Sequence, residues 1–288
     1  VSSTTEDYGV VANQSTAVSE ETVPRERRER RRLPLSSDRL RSLLGLMSPL
    51  ALLLLWEAGV HLGFVDYRFF PAPTDILVET WDMLLSGELV RDMGWSLSRI
   101  FVGFFGGGFL GLVVGLSMGL FRPVRLLLRP IVSAIYPIPK LALYPLILLV
   151  FGISETAMYF TIGLGTFFMV LINTQAGVLN LDKIYLDVAK NYGAGRKDYY
   201  LKIAIPGALP LIFTGIELGM GMALLLIVAA EMVGADAGIG QNIWTARDTF
   251  QIEQMFVSFF LIALLGYLFA ELLAAIERRV IPWKRQEG

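Results

Sequence analysis

The 288-residue chain is 54% hydrophobic and only 18% charged, with a mean hydropathy of +0.57. Ordinary soluble domains carry about 25% charged residues, so this depletion points to a bilayer protein. With no cysteine and a single histidine, disulfides, thiolate chemistry, Cys/His zinc sites and HExxH catalysis are excluded. The net charge of −1 is less informative than its distribution, because a membrane protein sorts its charges by side.

The first 40 residues read as a disordered cytoplasmic tail. Residues 1–21 are rich in Ser, Thr, Val and acids without helical periodicity, and the arginine cluster RERRERRR follows at residues 25–32. That cluster reads as a topology determinant that also meets anionic lipid head groups. The apolar run after it comes late and lacks a small-x-small cleavage site, so no signal peptide is expected.

A bilayer core about 30 Å thick takes roughly 20 apolar residues of helix. Six stretches meet that length, at residues 43–64, 101–121, 131–151, 157–178, 208–230 and 256–276. They predict an all-α membrane protein with six transmembrane helices over residues 41–279, followed by a cytoplasmic C-terminal tail at 280–288. Placing the N-terminus in the cytoplasm leaves only Arg68, Arg91, Arg99 and Arg247 outside, with Lys140 inside a span, out of 25 lysines and arginines. That bias obeys the positive-inside rule and puts both termini in the cytoplasm.

Within the spans, the second carries Gly103, Gly107, Gly111, Gly115 and Gly119, one glycine every fourth residue. This spacing predicts a smooth strip for close helix packing, against a neighbour in the same subunit or in a second copy. The third span contains YPIPKLALYP, where Pro137, Pro139 and Pro145 break the helix around Lys140. Irregular backbone at membrane depth is tolerated only inside protein or along water. Lys140 is thus either a functional cation or a side chain snorkelling to an interface. Asn173 lies near the inner end of the fourth span, Glu217 within the fifth, and Glu231 where the fifth closes before GADAGIGQNIW. Polar groups at such depth face a cavity or a partner helix, so Tyr136, Lys140, Asn173, Glu217 and Glu231 are the candidate translocation path.

Between spans four and five lies DVAKNYGAGRKDYYLKIAIPGALP. As a helix it puts Ile184, Val188 and Tyr192 on one stripe, with Lys183, Asp187 and Lys190 around it. Glycines at 193 and 195 stop that helix, and a second short helix, 196–205, leads to Pro206, where the fifth span starts. An apolar stripe edged with charge suits a protein docking surface, or a helix lying on lipid.

This segment resembles the EAA loop of permease subunits of bacterial ATP-binding-cassette importers. That motif reads Glu-Ala-Ala, three residues, Gly, nine residues, Ile-x-Leu-Pro, two spans from the C-terminal end. Here Asp187, Val188 and Ala189 precede Gly193, and Ile203, Ala204, Ile205 and Pro206 follow at the same spacing. Asp187, Val188 and Ile205 are conservative departures. PIPKLALYPLILLVFGISE, NLDKIYLDVAKNYG and VAAEMVGADAGIGQNIWTAR resemble the nitrate, sulfonate and taurine branch, and the likeness runs from about residue 43 to 279.

The resemblance implies a type I importer permease fold, in the bacterial cytoplasmic membrane, with a cytoplasmic coupling loop at residues 181–206. Asp187, Val188, Ala189, Lys190, Tyr192, Gly193, Ile203 and Pro206 would make the contact with an ATPase. The implied partners are a second permease copy, two cytoplasmic P-loop ATPases, an extracytoplasmic solute-binding protein and membrane lipid, with no nucleic acid. No Gly-Lys pair occurs in the chain, so it has no Walker A cradle. ATP and Mg would sit on the partner, and this chain would be a non-catalytic subunit with no cofactor or metal of its own. The solute expected from the branch is a small anion such as a sulfonate, taurine, nitrate or bicarbonate, with Lys140 and Arg99 fitting an anion. A neutral heterocycle like a vitamin precursor is the alternative, and an ion-coupled secondary transporter a further one. Against the last, no repeated half is visible, and neither GxSxG nor HExxH supports an embedded enzyme.

Overall fold

The computed structural model describes residues 38–283. The tail with its arginine cluster at 1–37 and the last residues, 284–288, lie outside the described residues. Every regular element among the described residues is helical: α1 (Asp38–His61), α2 (Pro73–Leu85), α3 (Glu88–Leu120), α4 (Arg122–Ile135), α5 (Tyr144–Phe151), α6 (Glu155–Leu179), α7 (Lys183–Asn191), α8 (Arg196–Asp198), α9 (Ile205–Gly234), α10 (Ile239–Asp248) and α11 (Ile252–Val280). A 3₁₀ turn, Lys140–Leu143, precedes α5, and a π-helical stretch, Tyr199–Ala204, joins α8 to α9. The chain divides into two compact units, residues 1–51 and 52–288. In the first, which ends within α1, Met47 and Leu50 are exposed; the second holds the rest of α1 and helices α2 to α11.

Four helical runs are long and apolar enough to cross a bilayer: α3, α6, the run Tyr199–Gly234 and α11. Helix α4 and the segment Lys140–Phe151 make a fifth candidate only as a pair, bent by 84°. The expected first span falls on α1, whose described apolar part, Met47–His61, is shorter than a bilayer requires. Among the described residues the count is therefore four, or up to five with the bent pair taken as one span. The third expected span is also broken, because Pro137 and Pro139 give no N–H and stop α4 at Ile135. Helix α3 begins 13 residues before the apolar run that marked it, at Glu88. Those added turns bury Asp92, Ser96 and Arg99, polar groups that hide a helix from any hydropathy reading.

The bundle is centred on α3, α6 and α9. Helix α3 runs parallel to α6, and glycine makes this possible: a Cβ at Gly103 would stand 2.6 Å from Ile162, at Gly111 2.6 Å from the Phe167 carbonyl, at Gly115 2.7 Å from that of Leu171, and at Gly119 2.6 Å from Val178. At Gly107 it would overlap the Gly163 carbonyl. All five glycines of the strip thus meet one helix of the same chain, and without side chains between them the two backbones touch. Helix α9 runs antiparallel to both. Its Gly215 abuts Asn173, Gly219 abuts Thr166, and Gly177 of α6 abuts Ala208. Above this seam Ile100, Phe104, Ile162, Ala223, Ile227, Leu265 and Phe269 form the apolar core.

Candidate functional site

One end of the bundle gathers the starts of α3 and α6 and the end of α9. Here Arg99, 2% exposed, stands between two carboxylates. It donates twice to Glu155, Nε to Oε2 at 2.7 Å and Nη2 to Oε1 at 2.6 Å, and its Nη1 donates to Glu231 Oε1 at 2.8 Å and to the Ala237 carbonyl. Such fork geometry is what a planar guanidinium supplies. Glu231, 1% exposed, also accepts from Ser96 Oγ at 2.8 Å and from the Gly240 amide at 2.9 Å. Ser96 Oγ accepts in turn from the Ile239 amide at 2.9 Å, and Asp92 accepts from the Gly238 amide and from Asn242 Nδ2, both at 3.3 Å.

The network fixes the connection from α9 to α10 on α3. It explains the glycines of GADAGIG: Gly238, at φ +133°, leaves no room for a Cβ, which would lie 2.5 Å from the Glu231 carboxylate. Arg99, expected at the mouth as an anion partner, is thus directed at protein carboxylates. Glu231 lies in the same buried network. Three partners of this site, Asp92, Ser96 and Glu155, were not singled out from the sequence. Asp92, Ser96 and Arg99 recur at i, i+4 and i+7, a polar stripe on one helical face that could have revealed the first two.

Lys140 occupies the break between α4 and α5 and is 6% exposed. Its Nζ donates to the carbonyls of Ile135 (3.2 Å), Tyr136 (2.7 Å) and Ile138 (2.8 Å). The ammonium also lies 4.5 Å from the Phe168 ring centre and 5.5 Å from that of Tyr136. It neither snorkels nor projects into open space. Tyr136 is 41% exposed and its ring faces that of Phe168 at 6.1 Å. Asn173, half-buried on α6, donates from Nδ2 to the Met169 carbonyl at 2.8 Å. Glu217 lies on the exposed face of α9 shared by Leu218, Gly221 and Leu225. Lys140 and Tyr136 meet directly; Glu231 belongs to the Arg99 end.

At the opposite end of the bundle, α7 presents the expected stripe. Ile184 is 61% exposed, Val188 49% and Tyr192 88%, and Asp187 is exposed beside them. The side chains of Ala189 and Lys190 lie outside the described residues. Asp182 caps α7, its Oδ1 accepting from the Ile184 amide at 3.0 Å. After Tyr192 the chain turns at Gly193, whose φ of +71° is a left-handed conformation that only glycine adopts without strain. The second half differs from the reading of a separate short helix ending at Ile205. The chain runs from α8 through the π-helical stretch into α9 without interruption. Pro206 can give no N–H and displaces the carbonyl four residues before it, and a wider π turn accommodates that defect. Ile203 and Pro206, both half-buried, lie in this lever. Tyr200 within it stacks edge-on against Phe121 at the end of α3, 5.8 Å between ring centres. Among the described residues, no cluster of three or more His, Asp or Glu could hold a metal ion.

Comparison with known proteins gives a consistent picture. The family described as binding-protein-dependent transport system inner membrane component matches residues 107–285. A permease protein named for aliphatic sulfonates transport, SsuC of Bacillus subtilis (strain 168), is 33% identical over 83% of this chain and 87% of its own. The taurine transport system permease protein TauC of Escherichia coli (strain K12) is 31% identical over 81% and 86%. The nitrate import permease protein NrtB of Leptolyngbya laminosa is 32% identical over 73% and 78%. Among solved structures, a chain of the MetNI methionine ABC transporter in an inward facing conformation superposes with a TM-score of 0.58. It is 21% identical over 68% of this chain and 97% of its own, a likeness of fold.

Proposed function

The chain belongs to the inner membrane components of binding-protein-dependent transport systems, within the branch of ABC permeases named for sulfonates, taurine and nitrate, and on that premise we propose that it is the translocating subunit of an ATP-driven importer. It hydrolyses nothing itself. Two P-loop ATPases dock on the α7 end, which faces the cytoplasm with both termini, and an external binding protein delivers solute to the Arg99 end. A second copy of the chain completes the path, a homodimer being the simplest closed assembly for one such unit.

The observation that carries this reading is the build of the α7 segment. An apolar stripe of Ile184, Val188 and Tyr192 is left exposed beside Asp187, a left-handed Gly193 ends the helix, and an unbroken helical lever leads into α9. A docking element needs an exposed face, and coupling needs a stiff connection to the path; both are present. When ATP closes the two ATPases, the α7 helices are drawn together and each lever tilts α9 against the α3–α6 pair, switching access to the path. That path runs along the face of α9 bearing Glu217, past Asn173 and Tyr136, with Lys140 and Glu231 in its walls.

The proposed solute is a small anion of the sulfonate, taurine or nitrate type, as in the relatives' names. A second reading, a neutral heterocycle, is favoured by the hydrogen bonds of Lys140 and Arg99, which go to protein acceptors. The test of the coupling assignment is solute-stimulated ATPase activity of the reconstituted complex. Asp187→Arg, which inverts a charge on the docking face, and Gly193→Val, which forces a β-branched residue to positive φ at a cost of about 1–2 kcal/mol, are expected to abolish stimulation while the protein still folds. Wild-type stimulation in both variants would sink the assignment.

A further inference from the structure

We propose that Lys140 is a positioning residue: a tethered cation that fills a cradle of three carbonyls and two aromatic faces and so holds the break in the third span in shape. The break poses a definite problem. Where α4 ends, the Ile135 carbonyl keeps only the Ile138 amide, at 3.2 Å, and Pro137 and Pro139 offer no N–H to the carbonyls around them. A carbonyl left unsatisfied at membrane depth destabilises the fold. A helix C-terminus also carries partial negative charge, which a cation offsets.

Lys140 meets both demands. Its ammonium has three protons, and three carbonyls, of Ile135, Tyr136 and Ile138, stand within 3.2 Å of Nζ. Phe168 of α6 closes one side with its ring face 4.5 Å away, and Tyr136 another at 5.5 Å. Phe168 is itself 3% exposed, so the cradle is anchored on the α3–α6–α9 core, and the 84° bend between α4 and Lys140–Phe151 is fixed from inside the chain. An anionic solute could engage Lys140 only by pulling its protons off those carbonyls. The residue therefore acts on transport through the shape of the break and the aim of the Tyr136 ring.

A cradle built for a cation should accept an untethered one. Lys140→Ala removes the atoms of n-propylammonium, and that ion is the probe. The purified variant is expected to melt at least about 5 °C below wild type. n-Propylammonium chloride should restore half or more of the deficit, saturably, while 1-propanol does not and wild type is unaffected. Restoration by n-propylammonium no greater than by 1-propanol overturns the proposal. Should Lys140→Ala fail to accumulate, Lys140→Met and Lys140→Arg replace it: Arg melting above Met supports the cradle, and Met equal to wild type overturns it. The functional half of the test rests on the permease reading. In the complete complex, Lys140→Met should lower turnover about tenfold with the solute KM within about twofold of wild type; a raised KM at unchanged turnover would make Lys140 a solute ligand. If the wild-type complex shows no solute-stimulated ATPase, the permease reading fails, and the melting comparison still decides the cradle.

Discussion

Replacing Arg99 by Met tests the buried network that ties the α9–α10 connection to α3. The substitution keeps much of the stem volume and removes the charge. Glu155, 40% exposed at its side chain, returns to water at little cost. Glu231, 1% exposed, cannot, and is left with Ser96 and the Gly240 amide but no countercharge. Removing one partner of a buried pair costs about 3–5 kcal/mol, most of it the burden of the stranded charge. Glu231→Leu alone should cost less, since Arg99 keeps its two bonds to Glu155. The double variant strands nothing, so its loss should fall short of the sum of the singles by about 2 kcal/mol or more. Equilibrium unfolding in mixed micelles, followed by tryptophan fluorescence, reads all four proteins; Trp95 lies over the Arg99 guanidinium at 5.4 Å and reports locally. Additivity within about 0.5 kcal/mol would refute the reasoning, because independent losses mean that the two charges do not depend on each other for burial.

Two further outcomes follow from the same geometry. Gly107→Ala sets a methyl on the Gly163 carbonyl, whereas Gly106→Ala meets nothing within 4 Å; the first should lose about 2 kcal/mol or more of stability and the second should be neutral or slightly stabilising, and equal melting of the two would contradict the close seam of α3 and α6. Because the chain has no cysteine, single cysteines are clean probes of the path. At Tyr136, Asn173 and Glu217 they should react with a water-soluble maleimide in the complex, while one at Leu149, 82% exposed on α5, should stay unlabelled in the bilayer; failure at all three path positions would remove the path as drawn.

What the sequence disclosed and what it concealed divide along physical lines. The glycine strip was legible because i, i+4 spacing is a one-dimensional pattern, although only packing reveals that α6 is its partner. The exposed apolar stripe of α7 was legible for the same reason, through Ile184, Val188 and Tyr192. Prolines announced the break in the third span, but no pattern says that a lysine two to five residues on will turn back to cap its carbonyls. The Arg99 network joins residues up to 150 positions apart, as between Asp92 and Asn242, and such pairs exist only once α3 has met α9 and α10. Hydropathy misjudged the length of α3 for a related reason: a buried polar group satisfied by protein looks, in sequence, like a solvated one. The 36-residue run from Tyr199 to Gly234 concealed its continuity behind Pro206, which reads as a helix start and is instead absorbed by the π turn.

The measurement closest to the central claim is site-directed cross-linking from α7. A single cysteine at Val188, in an otherwise cysteine-free chain purified from its native host, would be reacted with a short cysteine-to-lysine cross-linker. The account predicts a covalent adduct with a P-loop ATPase subunit that co-purifies in stoichiometric amount. The adduct should depend on Asp187 and Gly193, and a cysteine at Leu77 on α2 should give none. A protein that emerges alone, forms no adduct from Val188, and transports solute in ATP-free vesicles on an ion gradient would contradict the account and make the chain a secondary transporter.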